Sequence, residues 1–201
     1  MTTGGVEFAV FTAAVAVRHI FQLCYRLRRM RGGEASGYIS TAILFLCYVS
    51  VWVAASVFIL RGVPRGILFA CGAGVFALAI AMRLAAIATL GAYYSEAIEI
   101  RGDHRLVRSG MYSVVRHPLH LAFFGELLGM AMMGRSLWLA APLAVLFVTL
   151  AVRNRTEDGK LEEKFGDEFR AYANRVPAVN LIAGLFRLIR NRKSNLENRK
   201  F

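Results

Sequence analysis

Residues 38–60 read YISTAILFLCYVSVWVAASVFIL, from Tyr38 to Leu60, without one charged side chain. A helix on the surface of a soluble domain keeps a polar stripe toward water, whereas this stretch is apolar on every face. At 1.5 Å per residue it is about 34 Å long, enough to cross a hydrocarbon core of roughly 30 Å. It is read as a membrane-spanning helix, and its neighbours repeat the pattern.

Upstream, a run from about Val6 to Tyr25 is interrupted by Arg18 and His19 and followed by Arg26, Arg28, Arg29 and Arg31. Positive charge after the run is the reverse of a cleaved signal peptide. The run is therefore expected to be a retained helix with its N-terminus outside and the arginines in the cytoplasm. Arg18 is expected to snorkel toward that surface. Residues 32–37 read as a cytoplasmic turn. Downstream, Arg61-Gly62-Val63-Pro64-Arg65 reads as a tight outer loop, and Gly66 to Leu90 returns inward. This third run is rich in Ala and Gly, which let helices approach closely in lipid. Arg83, near its inner end, is also expected to snorkel.

The chain of 201 residues is 57% hydrophobic with a formal net charge of +12. Soluble domains run roughly 45–50% apolar. The mean hydropathy is +0.48 and the pI about 10.4. The basic residues flank apolar runs without base-stacking aromatics or a DNA-binding motif, so anionic lipid headgroups explain them better than nucleic acid. Cys24, Cys47 and Cys71 have no metal-like spacing and read as small buried hydrophobes.

Gly91 to Val115 is polar, with Glu96, Glu99, Arg101, Asp103, His104, Arg105 and Arg108, and a connection this long is more often functional than idle. Leu119 to Val152 is apolar again. As one helix it would be about 50 Å long, so a hairpin turning at Gly134-Arg135-Ser136 is expected, its first arm short for a full crossing. Glu126 lies in that arm. A carboxylate there needs a partner, Arg83 or Arg18, or serves the substrate side, and both roles stand. The helix then continues past Arg153 to Phe165, stops at Gly166, and is followed by a short element ending at Val176-Pro177. Val179 to Ile189 reads as an interfacial helix with basic neighbours, and the residues from Ser194 as loose.

Both polar regions, residues 91–115 and 153–177, fall on the cytoplasmic side. Between the hydrophobic halves stands Gly110-Met111-Tyr112-Ser113-Val114-Val115-Arg116-His117-Pro118-Leu119-His120. Proline belongs in a first helical turn, and the N–H groups after it favour an anion beside Arg116. His117 and His120 share a helical face, but no carboxylate or cysteine of suitable spacing accompanies them, so no metal is expected. Arg153 and Glu157 are one turn apart. They read either as a surface ion pair or as a site in which the arginine meets an anion and the carboxylate receives donors.

Gly110-x-Tyr112-x-x-x-Arg116-His117-Pro118 resembles a motif of the isoprenylcysteine carboxyl methyltransferase family, which includes related phospholipid N-methyltransferases. Leu90-Gly91, His104-x-Leu106-Val107 and the spaced residues from Arg153, Glu157 and Asp158 to Val176-Pro177 resemble the rest of its catalytic half. The resemblance implies S-adenosylmethionine as methyl donor and a lipid-like or small hydrophobic acceptor entering from the bilayer. It implies that His104, Arg105, Leu106, Val107, Tyr112, His117, Pro118, Leu119, His120 and Glu157 bind the cofactor. Arg153 and Glu157 would be catalytic, with Arg153, Arg116 and Glu126 toward the acceptor. The family usually has Tyr where this chain has His120, and Gly where it has Ala122. Competing readings are an NADPH-dependent sterol-reductase-like oxidoreductase and a non-enzymatic membrane adaptor.

The expected molecule is an all-α polytopic membrane protein with about five transmembrane helices and a cytoplasmic cofactor-binding cap. Residues 1–90 would form three spans, 91–178 the catalytic region, and 179–201 a basic interfacial tail. Its C-terminus and catalytic face would lie in the cytoplasm, in a prokaryotic inner membrane.

Overall fold

The computed structural model describes residues 3–27, 35–61, 66–99, 105–135 and 137–197. Helices α1 (Thr3–Leu27), α2 (Tyr38–Leu60) and α3 (Ile67–Leu90) are followed by α4 (Pro118–Gly134) and α5 (Ala140–Phe165), then by α6 (Asp167–Arg175) and α7 (Leu181–Glu197). Two-residue strands β1 (Ala35–Ser36) and β2 (Ile98–Glu99) pair antiparallel and tie the start of α2 to the polar connection. The protein is an α-helical integral membrane protein. Among the described residues, four helical segments are long and apolar enough to cross a bilayer: Gly5–Leu27, Tyr38–Leu60, Ile67–Tyr93 and Leu137–Phe165. The fifth expected helix, α4, has 17 residues and is only about 25 Å long.

The hairpin turns where expected, with Arg135 in the left-handed conformation at φ 48° closing α4. Small residues set the closest helix pair. A Cβ on Gly129 would lie 2.7 Å from the Gly72 carbonyl oxygen, and Gly125 packs against Ala79. Around this seam Val51, Ala55, Phe76, Leu127, Met130 and Leu146 form the apolar core.

Several side chains depart from expectation. Arg18 and Arg83 do not snorkel; both are buried against Glu126. The carboxylate offers more than the interface would. Cys47 is buried as expected, whereas Cys24 and Cys71 are exposed on outer helix faces, and all three are free. Helix α7 runs on through Ser194 to Glu197, where a loose tail was expected. The turn at 32–34, the loop at 62–65, and Ser136 lie outside the described residues.

Candidate active site

The two polar regions are joined by main-chain contacts. Gly110 opens a short 3-10 turn at φ 54°, and a Cβ there would press on the Thr89 hydroxyl at 2.7 Å. After the turn, the Arg116 N–H donates to the Pro177 carbonyl (2.9 Å) and the His117 N–H to the Ala178 carbonyl (3.0 Å). The buried Tyr172 hydroxyl donates to the Tyr112 carbonyl at 2.7 Å. Phe169, Tyr172 and Val176 pack with Leu106, Leu161 and Phe165 into a second apolar cluster. The aromatic spacing of α6 and its Val-Pro end thus hold the Arg116-His117-Pro118 corner in place.

That corner starts α4. No side chain caps the helix, and its first turn closes with the Leu121 N–H on the His117 carbonyl. The N–H groups of Leu119 and His120 are left without an intrahelical acceptor. Across from them, α5 supplies Arg153, Asn154, Glu157 and Asp158. His117 Nε2 donates to Asp158 Oδ1 at 2.9 Å, and its Nδ1 faces Glu157 Oε2 at 3.4 Å. Burial alone disfavours charge on this imidazole. The hydrogen bonds and negative charge of Asp158 and Glu157 outweigh that penalty and raise His117 to about 9. Arg116 reaches the other Asp158 oxygen at 3.1 Å. His120 stacks on His117 with ring centroids 5.6 Å apart, donates from Nδ1 to Asn154 Oδ1 (2.5 Å), and places Nε2 at 3.6 Å from Glu157.

Arg153 is nearly fully buried. Its guanidinium donates to Ser40 Oγ (3.1 Å), Thr41 Oγ1 (2.9 Å) and the Glu96 carbonyl, and lies 3.5 Å from Glu157. It therefore ties α2, the polar connection and α5 together, which the i,i+4 spacing alone did not reveal.

A cavity of about 460 Å³ opens between these elements, within the range of small-molecule sites. Of the expected site residues, Leu106, Val107, Tyr112, Arg116, His117, Leu119, His120, Arg153 and Glu157 line it. Pro118 is buried behind the wall, Arg105 is exposed, and Glu126 is fully enclosed beside two lining arginines. His104 lies outside the described residues. Tyr94, Glu96 and Phe123 also line the cavity. Tyr94 is 2% exposed and burial pushes its hydroxyl up to about 12; its position just past the third span was the available signal.

His117, His120 and Glu157 can bring one ligand atom each within 4.8 Å of one another. The absence of a carboxylate partner, read from local spacing, is thus corrected: Glu157 arrives from another helix. Both His117 ring nitrogens face carboxylates, however, which favours an imidazolium without a lone pair for a metal.

The fold and the cavity define a polytopic membrane protein with a cofactor-sized site where its polar connections meet its helices. Residues 72–163 match the model of the isoprenylcysteine carboxyl methyltransferase (ICMT) family. It is similar to the nickel-cobalt-cadmium resistance protein NccN of Alcaligenes xylosoxydans xylosoxydans, with 40% identity over 88 residues, 43% of this chain and 41% of that protein. It is likewise similar to the protein-S-isoprenylcysteine O-methyltransferase of Schizosaccharomyces pombe, with 36% identity over 77 residues, 38% of this chain and 33% of that one. The matches therefore span about half or less of these relatives. The solved structure of a eukaryotic intramembrane Ras methyltransferase, ICMT, superposes with a TM-score of 0.56 at 24% identity, over 67% of this chain and 50% of that one. That likeness establishes the fold.

Proposed function

We propose that the protein is a membrane methyltransferase that uses S-adenosylmethionine to methylate a lipid-like or small hydrophobic acceptor, by carboxylate O-methylation or phospholipid-type N-methylation. One observation carries the reading. The Gly110–Pro118 corner and the Arg153–Asp158 turn, far apart in sequence, line or back one cavity between the membrane helices.

The residues suit such a cofactor. The free N–H groups of Leu119 and His120 at the start of α4 offer donors to its carboxylate. Glu157 offers a carboxylate to its amine or ribose, and Leu106, Val107 and Tyr112 offer apolar contact. S-adenosylmethionine supplies an electrophilic methyl group on a sulfonium. The protein then has to align the acceptor and keep water out, which accounts for the apolar walls and buried tyrosines. Arg153 acts as a positioning residue: it holds Glu157 against the histidines and fixes the Glu96 turn. The motif resemblance also gives Arg105 and His104 to the cofactor.

On this reading the site faces the cytoplasm from a prokaryotic inner membrane, with the N-terminus outside. Calorimetric titration of the purified protein with S-adenosylmethionine and with NADPH decides between classes. The expected result is saturable heat with S-adenosylmethionine alone; NADPH binding without it would establish the reductase reading.

A further inference from the structure

The cavity continues from the histidines toward the bilayer interior, where Arg18, His19, Gln22, Tyr48, Arg83 and Phe123 line it. Here two guanidinium groups share one carboxylate. Arg83 Nε donates to Glu126 Oε1, and Arg18 Nε lies 3.2 Å from Glu126 Oε2. All three side chains are buried, at 4% exposure for Arg18, 5% for Arg83 and 0% for Glu126. Among the described residues, every ion pair of Arg18 and Arg83 goes to Glu126.

The cluster thus carries two positive charges against one negative. His19 supplies no compensation: its Nδ1–H donates to the Val15 carbonyl and its Nε2 accepts from Arg18 Nη1, both at 2.8 Å, which is a neutral imidazole. The Tyr48 ring lies 4.7 Å from the Arg18 guanidinium carbon, and the Phe123 ring 5.0 Å from that of Arg83. Aromatic faces ease a buried cation without cancelling it. Arg83 Nη2 meets no hydrogen-bond partner although it is buried and its side chain borders the cavity. An uncompensated guanidinium at this depth calls for an anion.

We propose that Arg18, Arg83 and Glu126 form an anion-binding subsite at the bilayer end of the cavity, which takes the carboxylate or phosphate of an amphiphile. Glu126 orients the two guanidinium groups and limits their surplus to a single charge. Along α4, Glu126 lies six residues beyond His120, roughly 9 Å deeper. Resting on the methyltransferase reading, the anion held there is a non-reacting group of the acceptor, set apart from the atom that is methylated. The acceptor class is then an amphiphilic acid bearing a second, methylatable group toward the histidines.

The test uses the full-length protein in phosphatidylcholine nanodiscs. A diazirine-bearing alkyl carboxylate, the corresponding alkyl phosphate, the uncharged alkyl alcohol and inorganic phosphate serve as probes. The expected result is crosslinking to the α1, α2 and α4 peptides that carry His19, Tyr48 and Phe123, with the alcohol at least tenfold weaker. Whichever acid binds more tightly names the headgroup. Arg83→Gln, which leaves the balanced Arg18–Glu126 pair, should weaken binding at least tenfold, and Glu126→Gln should tighten it severalfold.

Equal binding of the alcohol, inorganic phosphate as tight as the alkyl phosphate, or crosslinks confined to lipid-facing helix surfaces would each overturn the subsite. The crosslinking pattern of the unaltered protein decides even where a variant does not fold. S-adenosylmethionine titration of the same sample reports separately on the methyltransferase reading. Anion binding without cofactor binding would sink that reading and leave the subsite standing.

Discussion

His117 sits where a charge is both buried and doubly compensated, and its protonation therefore reports on the whole site. Its folded value of about 9 lies above the ordinary 6.5. A group raised in this way contributes its stability in full below about pH 6.5 and loses it as pH climbs through about 9, an effect of up to about 3 kcal/mol. The apparent melting temperature in detergent should thus fall between those limits. In His117→Phe the fall attributable to this group should vanish, and an unchanged slope would refute the assignment. The same variant strips a cation from Glu157 and Asp158 and should weaken S-adenosylmethionine at least tenfold by calorimetry. None of this pairing was visible in the chain, because 40 residues separate His117 from Glu157 and only the meeting of α4 with α5 joins them. Arg18 and Arg83 were misjudged for a related reason. Arg83 lies seven residues, about 10 Å, inside the end of α3, and its partner Glu126 belongs to a different helix.

Helices α3 and α4 approach until their backbones touch, and glycine alone permits it. Gly129→Ala would place its methyl group 2.7 Å from both the Gly72 oxygen and the Phe76 nitrogen. The helices must separate, at a cost of about 1–3 kcal/mol. Gly74→Ala and Gly159→Ala meet nothing within 4 Å and should be neutral or stabilising by about 0.5–1 kcal/mol, since glycine is a poor helix former. Thermal melting of the three variants checks the contrast; equal losses at Gly74 and Gly129 would contradict the close seam. Helix α7 offers a second case. A Cβ on Gly184 would collide with the Val114 carbonyl, and Arg187 donates to the Ser113 and Arg175 carbonyls. Gly184→Ala should lift α7 from the corner before Pro118 and weaken cofactor binding severalfold while the helices stay folded by circular dichroism. The small-residue pattern of α3 and the Gly134 turn were legible in the sequence, since close packing and helix termination leave compositional marks. The contact of α7 with the corner was not, since an amphipathic basic helix announces only its affinity for an interface.

At the scale of the molecule, the hydrophobic runs made the architecture legible, and charge makes its orientation testable. Arg26 at the end of α1, Arg108 and Arg116 before α4, and Arg153, Arg155, Lys160 and Lys164 in α5 gather at one end of the helices. Arg61 and Arg135 stand at the other. The positive-inside rule predicts that the more basic end stays in the cytoplasm, which would orient the cavity inward. Single cysteines in a background with Cys24, Cys47 and Cys71 replaced by Ala can read this directly. Leu137→Cys, at a position 93% exposed in the hairpin turn, should react with a membrane-impermeant maleimide in intact cells. Glu163→Cys, exposed near the end of α5, should react only after permeabilisation. The reverse pattern would place the candidate cofactor pocket outside the cell, away from any cytosolic methyl donor, and would count against the proposed enzyme as well as its topology.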